Sequence, residues 1–222
     1  MSNFTTSPAP ISIEAVIEAG IRFTETLCPL VVVRPGLKAS VPNPTRRQED
    51  EQVHVIIDPG DVASTVSRLS TPSAPVNLGI WTHPKHASMI VVVDIDGLTP
   101  ATQKLLGDLG LSSRDDAWIQ QTGRGAGHYQ AVYFYNGEPL PRRIKAGVSQ
   151  LDLLSNGYAI VAPSTTHLWK DATGKRGGPY TWFPGHSPAD IPFAELEPLS
   201  ELAVEWWLEQ GRSSLCIYRL FY

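Results

Sequence analysis

Cysteine is scarce in this chain. Cys28 and Cys216 are the only two among 222 residues, without metal-ligand spacing and without a disulfide framework. Cys28 lies in apolar company, which fits a reducing compartment. No apolar run approaches the ~18 residues that span a bilayer. No basic segment leads into an apolar one near residue 1, so the expectation is a cytoplasmic chain with no membrane partner. Positive charge is not in excess either. The 18 Lys and Arg against 22 Asp and Glu leave a net charge of −4, so no global basic field advertises nucleic acid, although a local basic groove stays open. Three catalytic signatures are missing: the Gly-Lys-Ser/Thr of a phosphate-binding P-loop, the Gly-x-Ser-x-Gly of a serine hydrolase, and the His-x-His of a nickase. His83 and His86 are separated by Pro84 and Lys85, the wrong spacing for the last. No internal repeat is visible.

The 19 prolines and 18 glycines imply many loops between short elements. Ser12 is placed to cap a helix from Ile13 to about Thr26, with an apolar stripe at helical spacing. Leu30–Val33 reads as a strand. The stretch 40–52 is a proline-rich, then charged, loop. Val53–Ile57 fits a strand or a helix lead, and Asp61–Leu69 a short helix. Asn77–Thr82 and Met89–Val93 read as antiparallel neighbours across a turn at His83–Ser88. Thr99-Pro100 opens a helix that Gly110 ends. Strands follow at Ala117–Gln121, Tyr129–Tyr135, Val148–Leu154, Tyr158–Ala162 and Tyr180–Trp182, with Ser155-Asn156-Gly157 as a hairpin-type turn. Leu199–Gln210 fits a helix holding Trp206 and Trp207, and the last twelve residues follow no pattern. The fold class is α+β: a mostly antiparallel sheet with an N-terminal α/β unit packed on it.

One stretch concentrates chemistry. Met89-Ile90-Val91-Val92-Val93 runs into Asp94-Ile95-Asp96-Gly97. Alternation along a strand puts Asp94 and Asp96 on one face, about 7 Å apart, with Ile95 turned the other way. Two such acids fit a divalent cation or a solvated turn equally well. Asp152, in Leu151-Asp152-Leu153-Leu154, is an acid in an apolar strand. An outward-facing residue accounts for it alone, but beside Asp94 and Asp96 it would complete a carboxylate cage for Mg²⁺ or Mn²⁺, two ions in the arrangement that suits nucleotidyl transfer. The loop Thr122-Gly123-Arg124-Gly125-Ala126-Gly127 precedes His128. Amides at Gly123 and Gly125 could approach phosphate, with Arg124 as a fixed cation and His128 as a donor. A flexible connection is the plain alternative.

Taken in order, Asn77-Leu78-Gly79-Ile80, Val91–Gly97, Thr122–His128, Leu151-Asp152, Gly157–Ser164 and Gly178–Trp182 resemble the N-terminal primase-polymerase domain of plasmid and phage replication proteins, in the archaeo-eukaryotic primase superfamily. Val33–Lys38 is similar to that family's early strand and lysine-bearing turn. The resemblance covers residues 12–195, leaving 1–11 as a disordered tail and 196–222 as a C-terminal helix and tail that could lead to a missing partner domain. It implies a catalytic sheet like an RNA-recognition motif. It implies that Asp94, Asp96 and Asp152 are the metal-binding catalytic acids, and that Arg124, His128, Gly123 and Gly125 bind the nucleotide. Lys38, Lys145 and His167 become candidate template or phosphate contacts, with Lys170, Lys175 and Arg176 beside them. The implied partners are single-stranded DNA, nucleoside triphosphates and a replicative helicase, which is either a separate chain or lost from this one. Two departures stand out: Leu154 occupies a position that is often basic, and Tyr129–Phe134 carries an apparent insertion. Two other classes compete: an inactive nucleotide- or nucleic-acid-binding accessory protein, against which the intact acids argue, and a metal-dependent nuclease, against which the missing His-x-His argues.

Overall fold

The computed structural model describes residues 11–26, 28–33, 54–71, 75–112, 115–141, 143–145, 150–166 and 177–219. Lys38, His167, Lys170, Lys175 and Arg176 lie outside the described residues. So does the predicted tail, apart from Ile11, which packs against the core.

The chain begins as its residue pattern dictates. Ser12 Oγ accepts the amide of Ala15 at 3.1 Å and starts helix α1, Ile13–Glu25. Strand β1, Leu30–Val33, and strand β2, His54–Ile56, follow. Helix α2, Pro59–Leu69, begins two residues before the predicted Asp61. Asp58 Oδ1 accepts from Gly60 N at 2.8 Å, and Pro59 tolerates the first turn because its missing N–H has no role there. Gly20 lets the two helices close up, since a Cβ there would meet Val62 Cγ1 at 2.7 Å. Beneath them, β1 and β2 join β3, Asn77–Trp81, and β9, Tyr158–Val161, in an antiparallel sheet of order β2-β1-β3-β9.

The larger sheet takes β4, Ile90–Ile95; β5, Trp118–Gln121; β6, Tyr129–Phe134; β7, Arg143–Lys145; β8, Leu151–Leu154; β10, Ser164–Thr165; and β11, Pro179–Trp182. Its order is β10-β11-β5-β6-β4-β8-β7, every ladder antiparallel. Alternation on β4 divides the core. Ile90 and Val92 pack with Val16, Phe23, Leu30 and Leu78 of the N-terminal unit. Val91, Val93 and Ile95 face the other way. That second face lies under helix α3, Pro100–Asp108, and the buried Ala203 and Trp207 of helix α4, Glu201–Arg219. The α+β class holds, with two antiparallel sheets and four helices among the described residues. None of these helices is long and apolar enough to cross a membrane.

Three local expectations are corrected. Asn77–Trp81 and Ile90–Ile95 are not neighbours: β3 pairs with β1 and β9, and β4 with β6 and β8. Both runs are apolar on both faces, so their pattern carries no information about which strand each adjoins. For the same reason Ser155–Gly157 is a crossing between sheets rather than a hairpin. Buried Thr82 fastens the two crossings together: its amide donates to Gly157 O at 2.8 Å, and its hydroxyl accepts from Gly157 N at 3.0 Å. Third, α4 continues past Gln210 to Arg219. Gly211, a poor helix former, sits where a Cβ would strike Pro141, so close packing offsets its low propensity.

Candidate metal and nucleotide site

The site is assembled by strand register. Asp94 lies directly opposite Asp152 on β8 and opposite Gln130 on β6. Two carboxylates in a cross-strand pair repel each other, and Asp152 is only 6% exposed. Asp96 stands just past the end of β4, where its amide donates to Gln150 O at 2.8 Å. One carboxylate oxygen from each of Asp94, Asp96 and Asp152 lies within 4.8 Å of the others. Repulsion and burial both penalise such a group unless a cation compensates. Three hard oxygen donors converging on one point fit a divalent metal ion.

A second cluster abuts this one through Asp96. Arg124 Nη1 donates to Asp96 Oδ1 at 2.5 Å, and His128 Nδ1 lies 3.9 Å from the same oxygen. The loop that carries Arg124 is closed by its own backbone. Thr122 N donates to His128 O at 3.0 Å, Gly125 N to Thr122 O at 2.9 Å, and His128 N to Gly125 O at 3.1 Å. Gly125 and Gly127 have φ of +91° and +82°, the left-handed region that glycine enters without penalty. Gly123 is small for another reason. A Cβ there would come 2.5 Å from Gly178 O and 2.6 Å from Thr166 Oγ1, and Gly178 N donates to Gly123 O at 2.7 Å. The loop is therefore pressed against the start of β11.

Asp94, Asp96, Asp152, Arg124 and His128 come together in one place, with Gly123 and Gly125 in the loop beside them. Lys145 is the register partner of Asp152 on β7, so its residue extends the Asp94–Asp152 row to the sheet edge.

Sequence reasoning did not single out three further residues. Buried Gln120 lies opposite Gln130 on the neighbouring strand. Its Nε2 donates to Gln130 Oε1 at 2.7 Å and to Ile160 O at 2.8 Å, and its Oε1 accepts Ala162 N at 2.8 Å. These two amides tie the small sheet to the large one next to Asp94. Their signal was polar residues in strands otherwise apolar. Tyr180 is buried, and burial first, then the charges of Asp94 and Asp96, push its phenol above the ordinary range, with Arg124 opposing. It therefore stays neutral beside the acids. Its signal was the alternation of Tyr180-Thr181-Trp182.

None of the curated proteins matches this chain. A family model, that of the bifunctional DNA primase/polymerase N-terminal domain, matches residues 24–199 and so takes in both sheets and every residue of the acid and loop clusters. The chain belongs to that family.

Proposed function

We propose that this protein is a DNA-directed nucleotidyltransferase that joins nucleoside triphosphates on a single-stranded DNA template, as primase, polymerase or both, in the replication of a plasmid, phage or mobile element. The observation that carries the reading is the convergence of Asp94, Asp96 and Asp152 within 4.8 Å at one end of a sheet. In this reading the three acids hold two Mg²⁺ or Mn²⁺ ions. Bound there, the ions supply activation of the attacking hydroxyl and neutralisation of the leaving pyrophosphate.

The chain's own residues divide the remaining work. Asp94 and Asp152 face each other across a ladder, so neither can withdraw without breaking strand pairing. Asp96 joins the two clusters. Arg124 has five N–H donors, so its contact with Asp96 is compatible with contacts to a triphosphate. His128 stands beside it as a second phosphate donor. The amides of Gly123 and Gly125 complete the phosphate-facing surface. Lys38, Lys145, His167, Lys170, Lys175 and Arg176 are the proposed contacts to template or phosphate. The proposed setting is cytoplasmic, with a replicative helicase as partner.

The test is incorporation of labelled nucleotides on single-stranded DNA with Mn²⁺. Wild type should extend or initiate strands, and the Asp94→Ala/Asp96→Ala variant should not. Equal failure of both proteins overturns the reading, and DNA cleavage without incorporation replaces it with a nuclease.

A further inference from the structure

Gln150 stands immediately before β8, with its backbone in the left-handed region at φ +53°. Non-glycine residues enter that region uncommonly, and glutamine is not among those enriched there. Its carbonyl accepts the amide of Asp96 at 2.8 Å. Its Oε1 lies over Gly97, in the space that a Cβ on Gly97 would fill. The residue is exposed, unlike Asp152 two positions later.

One concession accompanies this side chain: an unfavourable backbone at 150. The backbone bond to Asp96 does not require a glutamine. Glycine at 150 would offer the same carbonyl in the same conformation with less strain. What glutamine adds is a carboxamide laid along the rim of the acid cluster. That group is uncharged, both donates and accepts, and brings no fourth negative charge to the cluster.

Its placement limits what it can touch. Gln150 bonds Asp96 from the β8 side, whereas Arg124 and His128 reach Asp96 from the β6 side. With the triphosphate on the Arg124 side, as the proposed function has it, the groups left on the Gln150 side are the sugars flanking the reacting phosphate.

We propose that Gln150 is a substrate-contacting residue that hydrogen-bonds a sugar hydroxyl beside the acids and takes part in the choice between ribo- and deoxyribonucleotides. The proposal rests on the nucleotidyltransferase reading. The strained backbone is maintained because it aims the carboxamide at that hydroxyl.

The experiment compares wild type, Gln150→Gly and Gln150→Ala in two arms. In one, the incoming nucleotide is a ribo- or a deoxyribonucleoside triphosphate on a fixed primer. In the other, the primer ends in a ribo- or a deoxyribonucleotide and the triphosphate is fixed. Melting temperature and Mn²⁺ affinity are measured alongside. Loss of one neutral hydrogen bond corresponds to about a tenfold fall in kcat/KM. The expected result is that fall in both variants, with a changed sugar preference in one arm, which identifies the sugar contacted. Gln150→Gly should meanwhile melt no lower than wild type and bind Mn²⁺ as tightly. Wild-type kinetics and sugar preference in Gln150→Gly would overturn the proposal. So would a parallel loss of Mn²⁺ affinity and activity, because the role would then be only to hold Asp96. Either outcome leaves the parent reading intact as long as wild type incorporates nucleotide and Asp94→Ala/Asp96→Ala does not.

Discussion

On one side of Asp96, the carboxylates of Asp94 and Asp152 stand opposite each other in a strand ladder, each held by backbone pairing on both flanks. On the other side, Arg124 and His128 belong to a loop closed by three backbone hydrogen bonds and pressed against Gly178 and Thr166. The acid half takes its geometry from register, which can shift only by moving a whole strand. The loop half takes its geometry from close contact at one glycine, which a single methyl group can disturb. In the proposed reading, the half that holds metal should therefore be hard to misplace and easy to abolish. The half that holds phosphate should be easy to misplace by small changes.

The largest effect is expected in the acid half. Asp94→Asn or Asp152→Asn should lower nucleotide incorporation by about 10³-fold or more, the scale on which electrostatic stabilisers of a transition state act. Stability should move the other way. Removing one of two facing negative charges relieves cross-strand repulsion of up to ~1 kcal/mol, which raises the melting temperature of metal-free protein by about 2–4 °C. Thermal melts with and without Mg²⁺ check this, since added metal should stabilise wild type and not the variant. Loss of stability in both conditions would mean that the acids are structural.

Next comes the cation of the loop half. Arg124→Ala should raise the KM for nucleoside triphosphate by about 10²-fold, and Arg124→Lys should restore only part of it, because a point charge replaces a planar fork of donors. Mn²⁺ affinity, measured by titration, should not fall in either, and in Arg124→Ala it should rise, because the cation paired with Asp96 no longer competes with the metal. A smaller effect of the same kind is expected from Gly123→Ala. The added methyl cannot fit against Gly178 O and Thr166 Oγ1, and overpacking of this sort costs about 1–3 kcal/mol. The loop should shift, KM should rise, and metal binding should stay as it was. If Gly123→Ala weakens metal binding as much as nucleotide binding, the contrast between the halves fails.

The effect expected to be smallest at neutral pH lies away from the site. Burial pushes the Cys28 thiol from 9.0 up to about 12. The folded protein holds this proton where the unfolded chain has lost it. Its contribution to stability is therefore complete below pH 9 and falls between pH 9 and 12, by about 1 kcal/mol per pH unit. Cys28→Ala should flatten that alkaline limb in chemical unfolding curves while leaving both halves of the site untouched.

The contrast also explains what could be read from the residues. Periodicity was enough for α1 with its Ser12 cap, for β4 with Asp94 near its polar end and Asp96 just past it, and for the strand holding Asp152. A period of two or 3.6 residues is a local property, and these are local facts. Pairing is not local. The apolar runs at Asn77 and Ile90 look alike, and only the packed core assigns them to separate sheets. The facing of Asp94 and Asp152 depends on that assignment, so it emerged only with the fold. The amides of Gln120 and Gln130 went unnoticed for a similar reason, since their role is to bridge sheets that the sequence does not show as adjacent. In the loop, the glycines were visible, but their reasons differ: Gly125 and Gly127 need positive φ, while Gly123 needs room.

The central claim is that register brings Asp152 onto the same cations as Asp94 and Asp96. Mn²⁺ titration followed by electron paramagnetic resonance, with a nucleoside triphosphate present, tests it most directly. The account predicts two bound Mn²⁺ per chain in wild type, and loss of binding in Asp152→Asn as severe as in Asp94→Asn. Unchanged Mn²⁺ stoichiometry and affinity in Asp152→Asn would contradict it.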